Sequence, residues 1–230
     1  MPSNRKTRVR AGEPLPRGRH GLSSQVVRSS QRERLMRAMR DLVAAHGYAA
    51  TTVPEVVATA RVSRNAFYEF FADKEECFLA VCEEEAAELL KELRHFETEK
   101  DWIEALRKGM PAYLRWWQDR PEFSRAFFVE MPAVGERAWR QRRHAYELFE
   151  ALFAELGQRA RGQQCGLAPL DPAIPRLIVA GVTEFVAGEI WAGRSGRLSE
   201  LEDQLLFFIV KLLADDVTAR RLGVKARSAS

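Results

Sequence analysis

Apolar residues recur at helical spacing along most of this chain, and the first clear example lies near its N-terminal end. Ser30 and Glu33 have the spacing of a capping box, in which a hydroxyl and a carboxylate satisfy free backbone N–H groups at a helix start. The apolar positions that follow are spaced i, i+4, i+7 and i+8: Leu35, Met39, Leu42 and Val43. This pattern predicts an amphipathic helix that buries one face and ends at Gly47.

Two short helices are predicted directly after it. Thr52 and Glu55 repeat the capping-box spacing and predict a second helix over 53–60. Ser63 is a good N-cap for a third helix over 64–71, because its hydroxyl can accept a hydrogen bond from the first turn. Two short helices joined by a three-residue turn form a helix-turn-helix.

The rest of the chain also has helical periodicity. Asp73 and Glu76 predict the start of a fourth helix. Periodic apolar segments separated by proline and glycine predict five further helices, over 101–118, 121–130, 134–161, 172–192 and 199–218. No segment alternates apolar and polar residues as a strand would, so the predicted fold class is all-α.

The third helix has two different faces. Phe67 and Phe71 are four residues apart and should pack inward. The opposite side presents polar residues, namely Arg64, Asn65, Tyr68 and Glu69. Arginine pairs with guanine and asparagine with adenine in the major groove, so this face suits DNA reading. The alternative is an ordinary amphipathic helix with a solvated side.

Composition narrows the function classes. The chain has 230 residues, of which 46% are hydrophobic and 30% charged, and no apolar run is long enough to span a membrane. With no secretory leader evident, a cytoplasmic location is expected. Three cysteines without C-x-x-C spacing and four scattered histidines indicate no metal site, and the absence of catalytic motifs indicates neither a cofactor nor an enzyme.

Positive charge is concentrated at the N-terminal end. The first 82 residues carry 14 Lys and Arg against 8 Asp and Glu. Residues 1–27 lack apolar periodicity and include six basic residues, Arg5, Lys6, Arg8, Arg10, Arg17 and Arg19. This segment is predicted to be a disordered arm that follows the DNA backbone, where each phosphate contact releases counterions. The alternative is a solubilising tail.

The stretch AHGYAATTVPEVVATARVSRNAFYEFFADKEECFLAV resembles the DNA-binding domain of the TetR family of transcriptional regulators, over about residues 28–85. The resemblance implies an all-α protein with an N-terminal three-helix DNA-binding domain and a C-terminal helical bundle for ligand binding and dimerisation. It implies phosphate contacts by three residues, Thr52, Tyr68 and Lys74. It implies base contacts by the start of the third helix, namely Ser63, Arg64, Asn65 and Ala66.

Arg61 departs from the pattern of the family, which usually has glycine at this turn. A non-glycine residue held at positive φ is strained by of order 1 kcal/mol. We therefore expect Arg61 to be strained in the turn and to offset the strain through a phosphate contact.

Residues 86–222 are the expected regulatory half, followed by a short flexible tail over 223–230. The resemblance implies an effector pocket here, and the many aromatic residues favour a hydrophobic small molecule, with four candidates for the lining: Trp102, Trp116, Phe127 and Trp139. For any single aromatic residue, a place in the bundle core is the alternative.

The last two predicted helices have the features of a dimer interface. Glycines within a helix suggest close helix approach, and the final helix is apolar nearly all round, more than one monomer can bury. The candidate interface residues are Gly181, Gly188, Leu205, Ile209 and Leu212. In the family these helices form the homodimer.

Together these observations predict a DNA-binding transcriptional regulator. The expected partners are a palindromic double-stranded DNA operator, a second copy of the chain and a hydrophobic effector. Repression follows from the resemblance alone. The alternative is an activator, or an architectural DNA-binding protein without an effector.

Overall fold

The computed structural model describes residues 24–131, 135–164 and 167–214, and the described residues are helical without strands. Residues 1–23 of the predicted arm and the tail over 223–230 lie outside the described residues, whereas residues 24–27, also predicted as part of the arm, belong to the first helix. The chain divides after Val81 into two compact units. The all-α fold class is confirmed.

The first unit contains three helices and the start of a fourth: α1 (Ser24–Ala50), α2 (Val53–Ala60), α3 (Arg64–Phe70) and α4 (Lys74–His95). The predicted start of the first helix at Ser30 is wrong, because α1 begins six residues earlier and Ser30 lies within it. The predicted end at Gly47 is confirmed by its non-helical angles, φ 84° and ψ 165°. Glycine adopts positive φ without steric cost, which lets the chain turn into α2.

Side-chain caps define the short helices. The capping box of α2 is formed as predicted, with Thr52 as N-cap and Glu55 at the third position. Ser63 caps α3 by accepting a hydrogen bond from the Ala66 N–H at 3.1 Å. At the start of α4, the Asp73 carboxylate accepts from the Glu76 N–H at 2.8 Å. These bonds satisfy donors that have no partner within a helix.

The core of the first unit is apolar and closely packed. Five side chains from α1, α2 and the α3 region are at most 3% exposed: Leu35, Met39, Val56, Phe67 and Phe71. The rings of Phe67 and Phe71 lie with centroids 5.6 Å apart. The predicted inward face of α3 is therefore confirmed. Because burying each large side chain stabilises by about 1.5–3 kcal/mol, this core holds helices that are too short to be stable alone.

The second unit is a bundle of longer helices. Its helices are α5 (Trp102–Gln118), α6 (Pro121–Arg125), α7 (Glu136–Gln163), α8 (Ala173–Trp191) and α9 (Glu202–Leu213). Two segments depart from the predicted ones: a π-helix over Ala126–Glu130 continues α6, and a 3₁₀ segment over Ser195–Leu201 precedes α9. No described helix has the length and apolar character that crossing a membrane requires.

Candidate nucleic-acid interface and apolar cavity

The outward face of α3 carries polar side chains that can reach a ligand. Arg64, Asn65, Tyr68 and Glu69 are all exposed, and Tyr68 retains 47% of its surface. The Arg64 guanidinium lies 5.8 Å from the centre of the Tyr68 ring. Donors for base edges and an aromatic residue therefore share one accessible surface, which we call the α3 face: Arg64, Asn65, Tyr68 and Glu69.

Arg61 occupies the turn between α2 and α3 in the left-handed conformation, with φ 52° and ψ 46°. The predicted positive φ is confirmed. The turn is held by Arg34 of α1, whose Nη1 donates to the carbonyls of Ala60 at 3.2 Å and Arg61 at 3.5 Å. Because these carbonyls lie at the C-terminal end of α2, the Arg34 guanidinium caps this end of the helix. The Arg61 side chain stays exposed.

Thr52 is already engaged within the protein. Its backbone N–H and its hydroxyl both donate to Glu55 Oε2, at 2.9 and 2.7 Å. The hydroxyl and backbone bonds from Thr52 lower the pKa of the exposed Glu55. A phosphate contact from the Thr52 hydroxyl would therefore have to replace its bond to a carboxylate.

Lys74 is placed by the N-terminal turn of α4. Its Nζ donates to the Tyr48 carbonyl at 3.0 Å and lies 4.1 Å from the centre of the Tyr48 ring. The ammonium is thus fixed in position while part of the side chain remains exposed. The structure corrects the predicted base contact by Ala66, because this residue is 8% exposed and faces the core, so it has little surface to meet a base.

An ion pair that the sequence did not reveal joins α1 to the α3 face. Arg28 Nη1 lies 3.4 Å from Glu69 Oε2, and the Arg28 guanidinium lies 5.3 Å from the centre of the Phe70 ring. Both charged side chains are more than half exposed, so solvent screens the pair and its contribution to stability is small. Residues 41 positions apart in sequence give no local signal of such a pair.

The second unit contains a cavity of about 90 Å³ between α4, the 3₁₀ segment Phe96–Thr98, α5, the π-helix, α7 and α8. Most of the lining is aliphatic or aromatic. Two consecutive π-helix residues, Phe127 and Phe128, contribute to it, and their ring centroids are 5.0 and 4.7 Å from that of Trp117. Such a concave apolar site is typical of small-molecule binding.

Several polar groups line the cavity. Tyr113 lies on α5, and burial raises the pKa of its phenol. Tyr146 accepts a hydrogen bond from Arg142 Nε at 2.5 Å. Glu97 pairs with Arg94 at 2.9 Å. Thr183 is 6% exposed.

The structure corrects the cavity lining that was predicted from sequence. Phe127 lines the cavity, but Trp102, Trp116 and Trp139 do not. Trp102 is 1% exposed in the core, Trp116 lies under the Arg120 guanidinium at 4.0 Å, and Trp139 is 62% exposed. A signal for the true lining exists in α5, where four lining residues are spaced i, i+4, i+7 and i+11: Leu106, Met110, Tyr113 and Trp117.

The candidate dimer residues fall into two groups. Leu205 and Ile209 are 3% and 0% exposed within one chain, which corrects their assignment to an interface, because they have no surface left for a partner. Leu212 is partly exposed. A Cβ atom on Gly181 would lie 2.8 Å from Phe208, so this glycine allows α8 and α9 to pack together. A Cβ atom on Gly188 would meet nothing within 4 Å.

Large apolar side chains project from α8 into solvent. They are Leu177, Phe185 and Trp191, which are 54%, 45% and 71% exposed. We call these three residues the α8 patch. Exposed apolar residues grouped on one helix are typical of an interface between proteins.

The described cysteines have no sign of reactivity. Cys77 and Cys82 are free and buried, and burial raises the pKa of Cys77 to about 12. The described residues also contain no group of three or more His, Cys, Asp or Glu that could hold a metal ion.

Comparison with known proteins adds independent information. The pattern of bacterial regulatory proteins of the tetR family matches residues 35–81. The HTH-type transcriptional repressor AcnR of Corynebacterium diphtheriae is 30% identical over 146 residues, which cover 62% of this chain and 73% of AcnR. The HTH-type transcriptional regulator YerO of Bacillus subtilis is 29% identical over 98 residues, which cover 41% of this chain and only 34% of YerO.

Solved structures share the fold at low identity. The fatty acid degradation regulator FadR of Bacillus halodurans superposes with a TM-score of 0.68 at 15% identity, covering 78% of this chain and 94% of FadR. FadR of Bacillus subtilis, solved in complex with stearoyl-CoA, has a TM-score of 0.67 at 13% identity and covers 77% and 96%. SmeT, the repressor of a Stenotrophomonas maltophilia multidrug efflux pump, has a TM-score of 0.64 at 19% identity and covers 86% and 94%.

Proposed function

The chain belongs to the TetR family of bacterial transcriptional regulators, and from that premise we propose that it is a cytoplasmic, ligand-responsive repressor that binds a palindromic operator as a homodimer. The observation that carries the proposal is the α3 face, which holds exposed arginine and asparagine side chains at the start of a helix. Repression by the relative AcnR supports the direction of regulation.

Contacts to DNA divide into two kinds in this proposal. Arg64 and Asn65 read base edges in the major groove, since their side chains can form paired hydrogen bonds with guanine and adenine. Four residues around them contact phosphates: Thr52, Arg61, Tyr68 and Lys74. Ser63 caps α3 and lies exposed at the entry to the groove. Phosphate contacts position the protein, and base contacts give specificity.

A homodimer supplies the second recognition helix. A two-fold pair engages both half-sites when their centres are about 34–36 Å apart, which requires a palindromic operator. The α8 patch, together with Gly188 and Leu212, is the proposed contact, because it offers large apolar surface that one chain leaves in solvent.

The cavity of the second unit is the proposed effector site. Its apolar lining favours a hydrophobic compound, and the stearoyl-CoA complex of B. subtilis FadR supports the capacity of this fold to hold a ligand with a long apolar chain. An effector releases DNA only if it binds more tightly to the conformation that fits DNA poorly. DNA and effector must then weaken each other's binding by the same factor.

Fluorescence anisotropy with the chain's own upstream DNA and with random DNA tests the proposal. Arg64→Ala and Asn65→Ala should each lose about 1–3 kcal/mol on the upstream site and little on random DNA. Arg197→Ala is the matched control, because it removes one exposed positive charge from the second unit. Equal binding of both DNAs by the unchanged protein, at 50 and at 200 mM salt, would contradict the proposal.

A further inference from the structure

The polar groups of the cavity wall indicate which polar group a ligand should carry in addition to its apolar part. This inference rests on the proposed effector site. Within a largely apolar lining, Tyr113 and Trp117 place a phenol and an indole four residues apart on α5. Residues at this spacing share one face of a helix. Both groups can donate a hydrogen bond, so the question is what they donate to.

Trp117 carries a donor without an acceptor. The residue is 4% exposed, and its Nε1 is buried with no hydrogen-bond partner. The Tyr113 phenol is near enough for Trp117 to oppose the rise in the phenol pKa, yet the indole N–H makes no hydrogen bond of normal geometry to it. A buried donor left in this state is costly, and a ligand acceptor would relieve that cost.

Tyr113 is a neutral donor. Burial raises the pKa of this phenol, and the neighbouring Tyr146 raises it further. The phenol therefore keeps its proton at neutral pH and can donate it to an oxygen of a ligand.

The lining offers no counter-charge for an anion. None of the described residues that form the cavity wall is Lys, Arg or His. Arg94 pairs with Glu97 and Glu155. Arg142 lies outside the lining, where its Nε donates to the wall phenol of Tyr146 and its charge opposes part of the rise in the Tyr113 pKa. An ionised carboxylate in the cavity would therefore lack a cation on the wall to pair with directly.

We propose that the cavity selects an uncharged, mainly apolar compound with a hydrogen-bond acceptor such as a carbonyl oxygen, held by the Tyr113 hydroxyl and the Trp117 indole N–H. Two donors on one helical turn specify an acceptor, and the apolar walls specify the remainder of the molecule. A compound without the oxygen leaves both donors unmatched. A charged analogue loses its hydration without gaining a partner.

Three matched single-ring probes test this selection: acetophenone, ethylbenzene and benzoate. Single-ring compounds are chosen because the cavity, at about 90 Å³, is smaller than the ~150 Å³ apolar cavity that holds benzene. Calorimetry on the full chain should give about tenfold tighter binding of acetophenone than of ethylbenzene, and no measurable binding of benzoate.

Variants identify the donors. Tyr113→Phe removes one oxygen and should reduce the preference for acetophenone over ethylbenzene to about threefold or less. Tyr48→Phe makes the same change at a phenol of the first unit that does not line the cavity, and should leave the preference unchanged. In ¹H–¹⁵N spectra, the indole resonance of Trp117, assigned with Trp117→Phe, should shift with acetophenone and not with ethylbenzene.

Three results would overturn the inference: benzoate binding as tightly as acetophenone, equal binding of acetophenone and ethylbenzene by the unchanged chain, or no binding of any probe. The DNA titrations described above use no compound. A loss of operator preference there contradicts the proposed function, whereas the probe results concern the cavity alone.

Discussion

The first unit carries its candidate functional side chains on the outside, whereas the second carries them around an internal cavity. The α3 face is exposed above a core whose central residues, such as Phe67, have no accessible surface. In the second unit, aromatic residues such as Phe127 are buried yet border empty space. A rigid surface suits a ligand of fixed shape such as duplex DNA, and a wall bordering empty space suits a ligand that must enter.

The largest expected effect is a difference in stability loss between truncating a core aromatic residue of the first unit and truncating one of the second. Phe67→Ala should lower the free energy of unfolding by about 3–5 kcal/mol, because it opens a cavity in a packed core. Phe127→Ala should cost at least about 1 kcal/mol less, since its ring already borders empty space. Urea unfolding, followed by a probe in each unit, measures both. Equal losses would break the distinction between the two units.

Two glycines of α8 sharpen the contrast between packed and open positions. Gly181→Ala should destabilise by about 1–3 kcal/mol, because the new methyl group would lie 2.8 Å from Phe208. Gly188→Ala should instead stabilise the single chain by about 0.5–1 kcal/mol through helix propensity. Thermal unfolding gives both values. Sedimentation then reports whether Gly188→Ala weakens self-association, as expected for a residue at the proposed interface.

The capping box of α2 gives a smaller, pH-dependent effect. Thr52→Ala should cost about 1 kcal/mol at pH 7, and Thr52→Ser should cost less because it keeps the hydroxyl. The folded pKa of Glu55 is lowered, so the stabilisation linked to its carboxylate is present above the unfolded pKa, about 4.3, and is lost as the pH falls through the folded pKa. The difference between wild type and Thr52→Ala should therefore shrink in acid. A difference that stays constant from pH 7 to pH 3 would contradict this role.

Arg61→Gly has the smallest expected effect on stability and separates folding from DNA binding. Glycine at φ 52° avoids the strain of a left-handed arginine and should stabilise by about 0.5–1 kcal/mol. Loss of the proposed phosphate contact should weaken operator and random DNA alike. Arg61→Asn is the matched control, because asparagine tolerates this conformation but carries no charge. Unchanged DNA affinity in both variants would remove Arg61 from the interface.

The sequence was most informative where one residue acts on its neighbours. Thr52 with Glu55, and Ser63 with Ala66, form caps over three positions, so the bounds of α2 and the start of α3 could be predicted. Arg61 was predicted correctly for the same reason, since the turn fixes its φ locally. The start of α1 was missed because the Ser30–Glu33 spacing occurs inside a longer helix.

The cavity could not be predicted from single residues because its wall combines six segments of the second unit. Trp116 and Trp117 are adjacent in sequence, yet only Trp117 lines the cavity. Trp117 is seven residues from Met110 and four from Tyr113, so it shares their face of the helix, whereas Trp116 does not. Aromatic content alone does not distinguish the two. Ile209 illustrates the same limit, since an apolar helix was interpreted as an interface but is largely covered by its own chain.

The π-helix over Ala126–Glu130 also has a consequence for the effect of a one-residue deletion in this segment. In it, the Met131 N–H bonds to the Ala126 carbonyl, five residues back instead of four, as after the insertion of one residue into an α-helix. Deleting one residue between Pro121 and Glu130 would restore a regular α-helix and turn every later side chain of the segment by about 100°. A deletion before Phe127 would therefore turn Phe127 and Phe128 together relative to the cavity. It would change the shape of the cavity wall in one step, without substituting any residue of that wall.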